Sequence, residues 1–119
     1  MREVSSEIEY KGKKYKLYFN LNVMEAIQEE YNTLDNWGML TDGKTEKGEV
    51  DVKALVFGFT EMLNEGIEIS NEDNGTNEPL LTKKQVARIL SDYGIENATK
   101  SVNEVVIEST KDPNDSKNE

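Results

Sequence analysis

Two carboxylates, Glu25 and Glu29, stand four positions apart in a stretch with helical periodicity, a spacing at which neighbouring side chains could share a cation. Hard cations such as calcium want about six to eight oxygen ligands. No third or fourth donor accompanies this pair, so a solvated helix face is its expected role. The stretch 70–81 sets Gly75 where a calcium-binding EF-hand loop needs glycine. Ser70, however, occupies the place of the first aspartate, and Leu81 that of the closing bidentate glutamate. It reads as an ordinary acidic loop. Cysteine and histidine are both absent, which removes disulfides, thiolate chemistry, and the commonest general base and metal ligand. The remaining carboxylates, lysines, hydroxyls and phenols form no catalytic constellation, and neither phosphate-cradling glycine loop is present. The sequence predicts a protein that is not an enzyme and holds no metal or cofactor.

What the side chains can do is bind. The chain carries 24 acidic and 14 basic residues, a formal net charge of −10. Such a balance opposes nucleic acid, whose affinity comes from lysines and arginines displacing counterions, and it opposes anionic membranes equally. The one basic cluster, KGKKYK at Lys11–Lys16, fits a charged hairpin tip that keeps a strand edge soluble. From Glu61 to Pro79 there are six acidic residues and no basic one. Glu65, Glu68, Glu72 and Asp73 would there form an acidic surface for a basic partner; solubilising charge beside a loop is the alternative. Tyr18 and Tyr10, and the Trp37, Met39, Leu40 stretch, are candidate apolar contacts. Packing within the protein's own core competes for each of them.

Those side chains need elements to hold them. Val4, Ser6, Ile8 and Tyr10 alternate with polar residues, as do Tyr15, Leu17 and Phe19, on either side of Lys11-Gly12-Lys13, which predicts a β-hairpin. Two strands alone are marginal in water, so helices or another subunit must cover the apolar face. A helix is expected from about Val23 to Asn32, capped from within Asn20-Leu21-Asn22, with Val23, Ile27 and Tyr31 in one stripe. A shorter one, Leu34 to Leu40, carries Trp37. Thr41–Glu49 is a loop. After Asp51, a cap candidate, Val52, Leu55, Val56, Phe59, Met62 and Leu63 mark the strongest amphipathic helix, placed at the centre of the core.

Gly66 is expected to end that helix in a left-handed conformation, Ile67-Glu68-Ile69 to form a short strand, and Ser70–Glu78 a polar loop. Thr82 and Gln85 make a capping box for a helix stopped at Gly94, and a last helix runs from about Glu96 to Thr110. Residues 1–111 form one domain, and 112–119, without an apolar side chain, are expected to be disordered. The fold class is α+β: a two-stranded antiparallel hairpin packed on four to five helices. MREVSSEIEY lacks the apolar segment of a signal peptide and no run reaches membrane-span length, so the cytoplasm is the expected location.

The order KGKKYKLYFNLNVMEAIQEEYNTLDNW, then VKALVFGFTEMLNEG, then LTKKQVARILSDYGIENATKSVNEVVIEST resembles the small tail assembly chaperones of long-tailed phages and prophages of Gram-positive bacteria. The phrase K-x-Y-K-L-x-F-N-L-N-V-M-E-x-I carries most of the likeness. The resemblance covers about residues 3–111 and implies a protein used during tail assembly and absent from the finished virion. Its implied partners are the tape measure protein, whose apolar helices it would keep from aggregating, and tail tube subunits. The hairpin edge also offers a route to a homo-oligomer by strand pairing. The alternative is a structural tail component, a tube or connector subunit of the virion.

Overall fold

A computed structural model describes residues 4–43 and 48–110. It shows an antiparallel hairpin followed by five helices, an α+β fold. Strands β1 (Val4–Tyr10) and β2 (Lys13–Phe19) are joined through Lys11 and Gly12, both at positive φ (50° and 78°). Positive φ at both central residues defines the mirror-image turn whose twist matches a hairpin, and glycine takes that conformation without steric cost. The register sets Glu7 opposite Lys16 and Glu9 opposite Lys14, so the outer face carries cross-strand pairs of opposite charge. The inner face buries Ile8, Leu17 and Phe19, with Tyr10 and Tyr15 packed beside them.

Each helix begins where a side chain can satisfy its first free amides. Asn20 accepts from the Val23 amide at the start of α1 (Leu21–Tyr31), and Thr33 from Asn36 at the start of α2 (Leu34–Thr41). Asp51 accepts from Ala54 at the start of α3 (Val52–Asn74). Thr82 and Gln85 close the expected reciprocal box at α4 (Lys83–Tyr93), and α5 (Ile95–Thr110) follows directly on Gly94, whose φ is 95°. Helical spacing sets Val86, Ile89, Leu90 and Tyr93 of α4 and Ala98, Val102, Val105 and Val106 of α5 inward; all are buried except Tyr93 and Val106, which are partly buried against the same core. The expected disordered tail and the middle of the loop before Asp51 lie outside the described residues.

The second half of α3 departs from expectation. Helix α3 is a single run of 23 residues, about 35 Å long. It passes through Gly66, through Ile67-Glu68-Ile69, and into the segment that the sequence marks as loop; the expected strand is helical. Gly66 serves close approach rather than termination. A Cβ at this position would lie 2.6 Å from the Lys16 carbonyl oxygen, so only glycine lets α3 cross β2 at this depth. The left-handed terminator is Gly75, with φ 64°.

Tertiary contacts hold this polar extension in the helix. Asn64 uses its side-chain amide as a peptide mimic: its Nδ2 donates to the Leu81 carbonyl at 3.1 Å and its Oδ1 accepts from the Leu81 N–H at 2.8 Å. Two turns on, Asn71 does the same with Glu78, at 3.0 Å in both directions. The returning segment 76–81 is thereby clipped along α3. Replacing Asn64 with alanine leaves the half-buried Leu81 peptide groups unpaired and is expected to cost about 1–3 kcal/mol in denaturant unfolding. Asn71→Ala, where water can replace the lost bonds, should fall within about 0.5 kcal/mol of the parent.

Helix α2 docks on α3 through Trp37. The indole is 1% exposed, and its Nε1 donates to the Ala54 carbonyl at 2.8 Å. Its ring lies against Gly58. Around it Phe59, Met62 and Leu63 of α3 join Val23 and Ile27 of α1 and the inner face of the hairpin in one core.

Candidate functional site

The sequence-derived candidates divide into groups held inside the fold and groups free to meet a partner. Trp37 belongs to the first and is not a surface contact, because α2 turns the indole onto Gly58 and the Ala54 carbonyl. Leu40 is half-buried against the same core, which leaves Met39, 64% exposed, as the outward residue of that stretch. Tyr18 is half-buried on β2 where α3 crosses it: a Cβ on Gly66 would lie 3.3 Å from its ring. Tyr10 packs against the core.

Glu65 also turns inward in function. Its Oε2 accepts from Asn20 Nδ2 at 2.7 Å and from Asn22 Nδ2 at 3.0 Å, tying the middle of α3 to the capped start of α1. It therefore braces the fold, whereas Glu68, Glu72 and Asp73 are exposed. Asp73 shares a polar cleft between α3 and β2 with Tyr18, Lys14, Lys16 and Glu78; Glu68, Glu72 and Met39 do not line it. The basic hairpin tip is partly answered within the protein. Lys13 pairs with Glu78 at 3.8 Å, an exposed contact worth about 0–1 kcal/mol. Lys11 and Lys13 also sit over the rings of Tyr10 and Tyr15, 5.4 and 5.2 Å from their centroids.

Glu61, one turn before Glu65, is the most perturbed acid of this face. Burial raises its carboxyl above the ordinary value and the charge of Glu68 raises it further; Lys83 opposes them, and Glu65 adds a smaller upward push. A carboxyl with a raised folded pKa binds its proton more readily when folded. Stability then falls as pH rises from the usual carboxylate value through the raised one, and is level above it. Glu61→Gln is accordingly expected to raise the thermal midpoint at neutral pH. The gain should disappear below the usual carboxylate range, as thermal melts across pH would record.

Among the described residues, no group of three or more acidic side chains is arranged to hold a metal ion. The candidate calcium loop is interrupted from its first position, since 70–74 are helical and the Asn71 Oδ1 is engaged by the Thr76 hydroxyl and the Glu78 amide. Glu25 and Glu29 are exposed on α1.

An apolar groove went unmarked by the sequence. It opens between the start of α3, the end of α4 and the start of α5, with a space of about 630 Å³. Leu55 and Leu90 form its floor, while Val52 and Ile95 stand at its rim, 53% and 46% exposed. Val52 fits the core stripe of α3 by spacing alone, yet it is the first residue of its helix and lies beyond the end of the core. Ile95 likewise fits the Ala98, Val102, Val105 stripe of α5 by spacing, yet as the first residue of its helix it stands exposed at the groove, so spacing alone carried no signal of it. No helix among the described residues is long and apolar enough to cross a membrane. Neither a known protein family, nor a curated protein, nor a solved structure matches this chain.

Proposed function

We propose that this chain is a tail assembly chaperone of a long-tailed phage or prophage, binding the tape measure protein and helping to recruit tail tube subunits. The reading rests on the residue order that resembles those chaperones, K-x-Y-K-L-x-F-N-L-N-V-M-E-x-I above all. The observation in the fold that supports it best is apolar surface on a strongly acidic protein. Val52, Ile95 and Met39 are exposed while the chain as a whole carries −10.

That combination suits a chaperone of apolar polypeptide. Apolar contacts grip a client without regard to its detailed sequence, and the net charge of the complex opposes association between complexes. Affinity purification of the chain from cells producing tails is expected to bring down the tape measure protein. Mass spectrometry of the finished particles should find the chain absent. Stoichiometric presence in purified particles would instead assign it to the virion as a tube or connector subunit.

A further inference from the structure

We propose that the Asn74–Gly75 peptide at the end of α3 is a site of spontaneous deamidation, held closed by the last turn of the helix and open to reaction when that turn frays. The chemistry needs only water. The Gly75 backbone nitrogen gives its proton to hydroxide and attacks Cγ of Asn74. The new C–N bond closes a five-membered succinimide as the Cγ–Nδ2 bond breaks, and ammonia leaves with a proton from water. Water then opens the ring at either carbonyl. One opening yields aspartate on the native main chain, the other isoaspartate, with the main chain routed through Cγ. Asn74 is the only asparagine in the chain followed by glycine. Any larger residue would crowd the attacking nitrogen, and glycine has the backbone freedom that ring closure requires.

The fold engages both reacting groups. The Gly75 N–H donates to the Asn71 carbonyl, as does the Thr76 N–H at 3.0 Å, and Asn74 Nδ2 donates to Ser70 Oγ at 3.2 Å. Asn74 is the last residue of α3, and the ring needs a ψ there well outside the helical range. Reaction therefore waits on the opening of the final turn. Little opposes that opening: residues 72–80 are exposed throughout, and a Cβ on Gly75 would meet nothing within 4 Å. A segment with so little buried contact opens locally, without unfolding the core. Asn64 and Asn71 differ on both counts, since each is followed by glutamate and commits its side-chain amide to the returning chain.

Either product alters the end of the helix. Aspartate adds a third consecutive acid after Glu72 and Asp73, at the negative end of the helix dipole. Isoaspartate adds one carbon to the main chain, so the Gly75 and Thr76 amides lose their register on the Asn71 carbonyl. Asn74 also lines the polar cleft with Lys13, Lys14 and Lys16, so the modification brings a carboxylate to the face that α3 shares with the basic hairpin tip. The site does not depend on the function proposed above.

The test stores the purified full chain in heavy-oxygen water at mildly alkaline pH, folded in one arm and unfolded in urea in the other. Tandem mass spectrometry then locates each asparagine that has exchanged its amide for an acid carrying a solvent oxygen. Asn74 should react before any other asparagine, in aspartate and isoaspartate forms, at a rate that rises with hydroxide. The folded arm should run at least about tenfold slower than the unfolded one. Asn74→Gln, whose ring would be one member larger, should abolish the reaction at this site and keep the parent's thermal midpoint. In hydrogen exchange of the folded chain, the Gly75 amide should be far less protected than that of Leu63 in the buried part of α3. Asn74 left intact in the unfolded arm, or another asparagine reacting first, would overturn the site. Equal rates in the two arms would overturn the gate, and so would equal protection of Gly75 and Leu63, which would make global unfolding the only route.

Discussion

Trp37→Ala is expected to remove about 3–5 kcal/mol of folding stability, the range for truncating a buried aromatic. Domains are stable by only about 5–15 kcal/mol, so a loss of this size leaves the chain near the edge of folding. Two effects add. The indole is 1% exposed at the junction of α2 and α3, and its removal opens a cavity that surrounding helices fill only in part. The Ala54 carbonyl also loses the donor that meets it at 2.8 Å. The reciprocal change attacks the same joint from the other side. A Cβ on Gly58 would fall 2.1 Å from Trp37 Cζ2, so Gly58→Ala forces the ring outward. Overpacking of that kind costs about 1–3 kcal/mol, and more where the displaced group is rigid. Tryptophan fluorescence reports both outcomes in one experiment, since this indole is the only one in the chain. The Gly58→Ala protein should emit at longer wavelength even while folded.

Gly66→Ala is the second large effect, and its sign runs against helix propensity. Alanine in place of glycine inside a helix ordinarily gains about 1 kcal/mol. At Gly66 the new methyl meets the Lys16 carbonyl oxygen at 2.6 Å, and a backbone atom of a paired strand cannot rotate away. The net result should be a loss of about 1–3 kcal/mol as α3 lifts from β2. Gly38 provides the control: it is helical in α2, and a Cβ there meets nothing within 4 Å. Gly38→Ala should therefore stabilise by up to about 1 kcal/mol. Opposite signs for two glycine-to-alanine changes within helices would show that the approach of α3 to the sheet, and not glycine itself, governs the outcome. Amide exchange in β2 should quicken in Gly66→Ala and stay unchanged in Gly38→Ala.

That contrast also explains what the sequence could and could not disclose. The hairpin was legible because alternation and a Lys-Gly turn both act locally, and α4 because its capping box lies within four successive residues. Gly66 was misleading, since a glycine after an apolar helix is equally apt for a terminator and for close approach, and the strand it approaches lies far away in sequence. The extension to Asn74 was hidden for the same reason: Ser, Asn and Asp have weak helix propensity, and the asparagine clips that hold the returning chain form only in the fold.

For the candidate site, residue type separated poorly between inside and outside. Trp37 and Met39, two positions apart on α2, look alike as apolar surface, yet the helix turns one into the core and the other to solvent. Glu65 and Glu68 carry the same charge, but Asn20 and Asn22 claim only the first. The groove was missed because its walls come from three helices, whose ends meet only after folding.

The central claim is that this acidic fold grips polypeptide, the client being the tape measure protein of the same genome. Co-expression of the two chains, followed by centrifugation of the lysate, tests it most directly. The client is expected to move from the pellet to the supernatant and to co-purify with the parent chain. A client that stays in the pellet to the same extent with and without the chain, and never co-purifies, would contradict the claim.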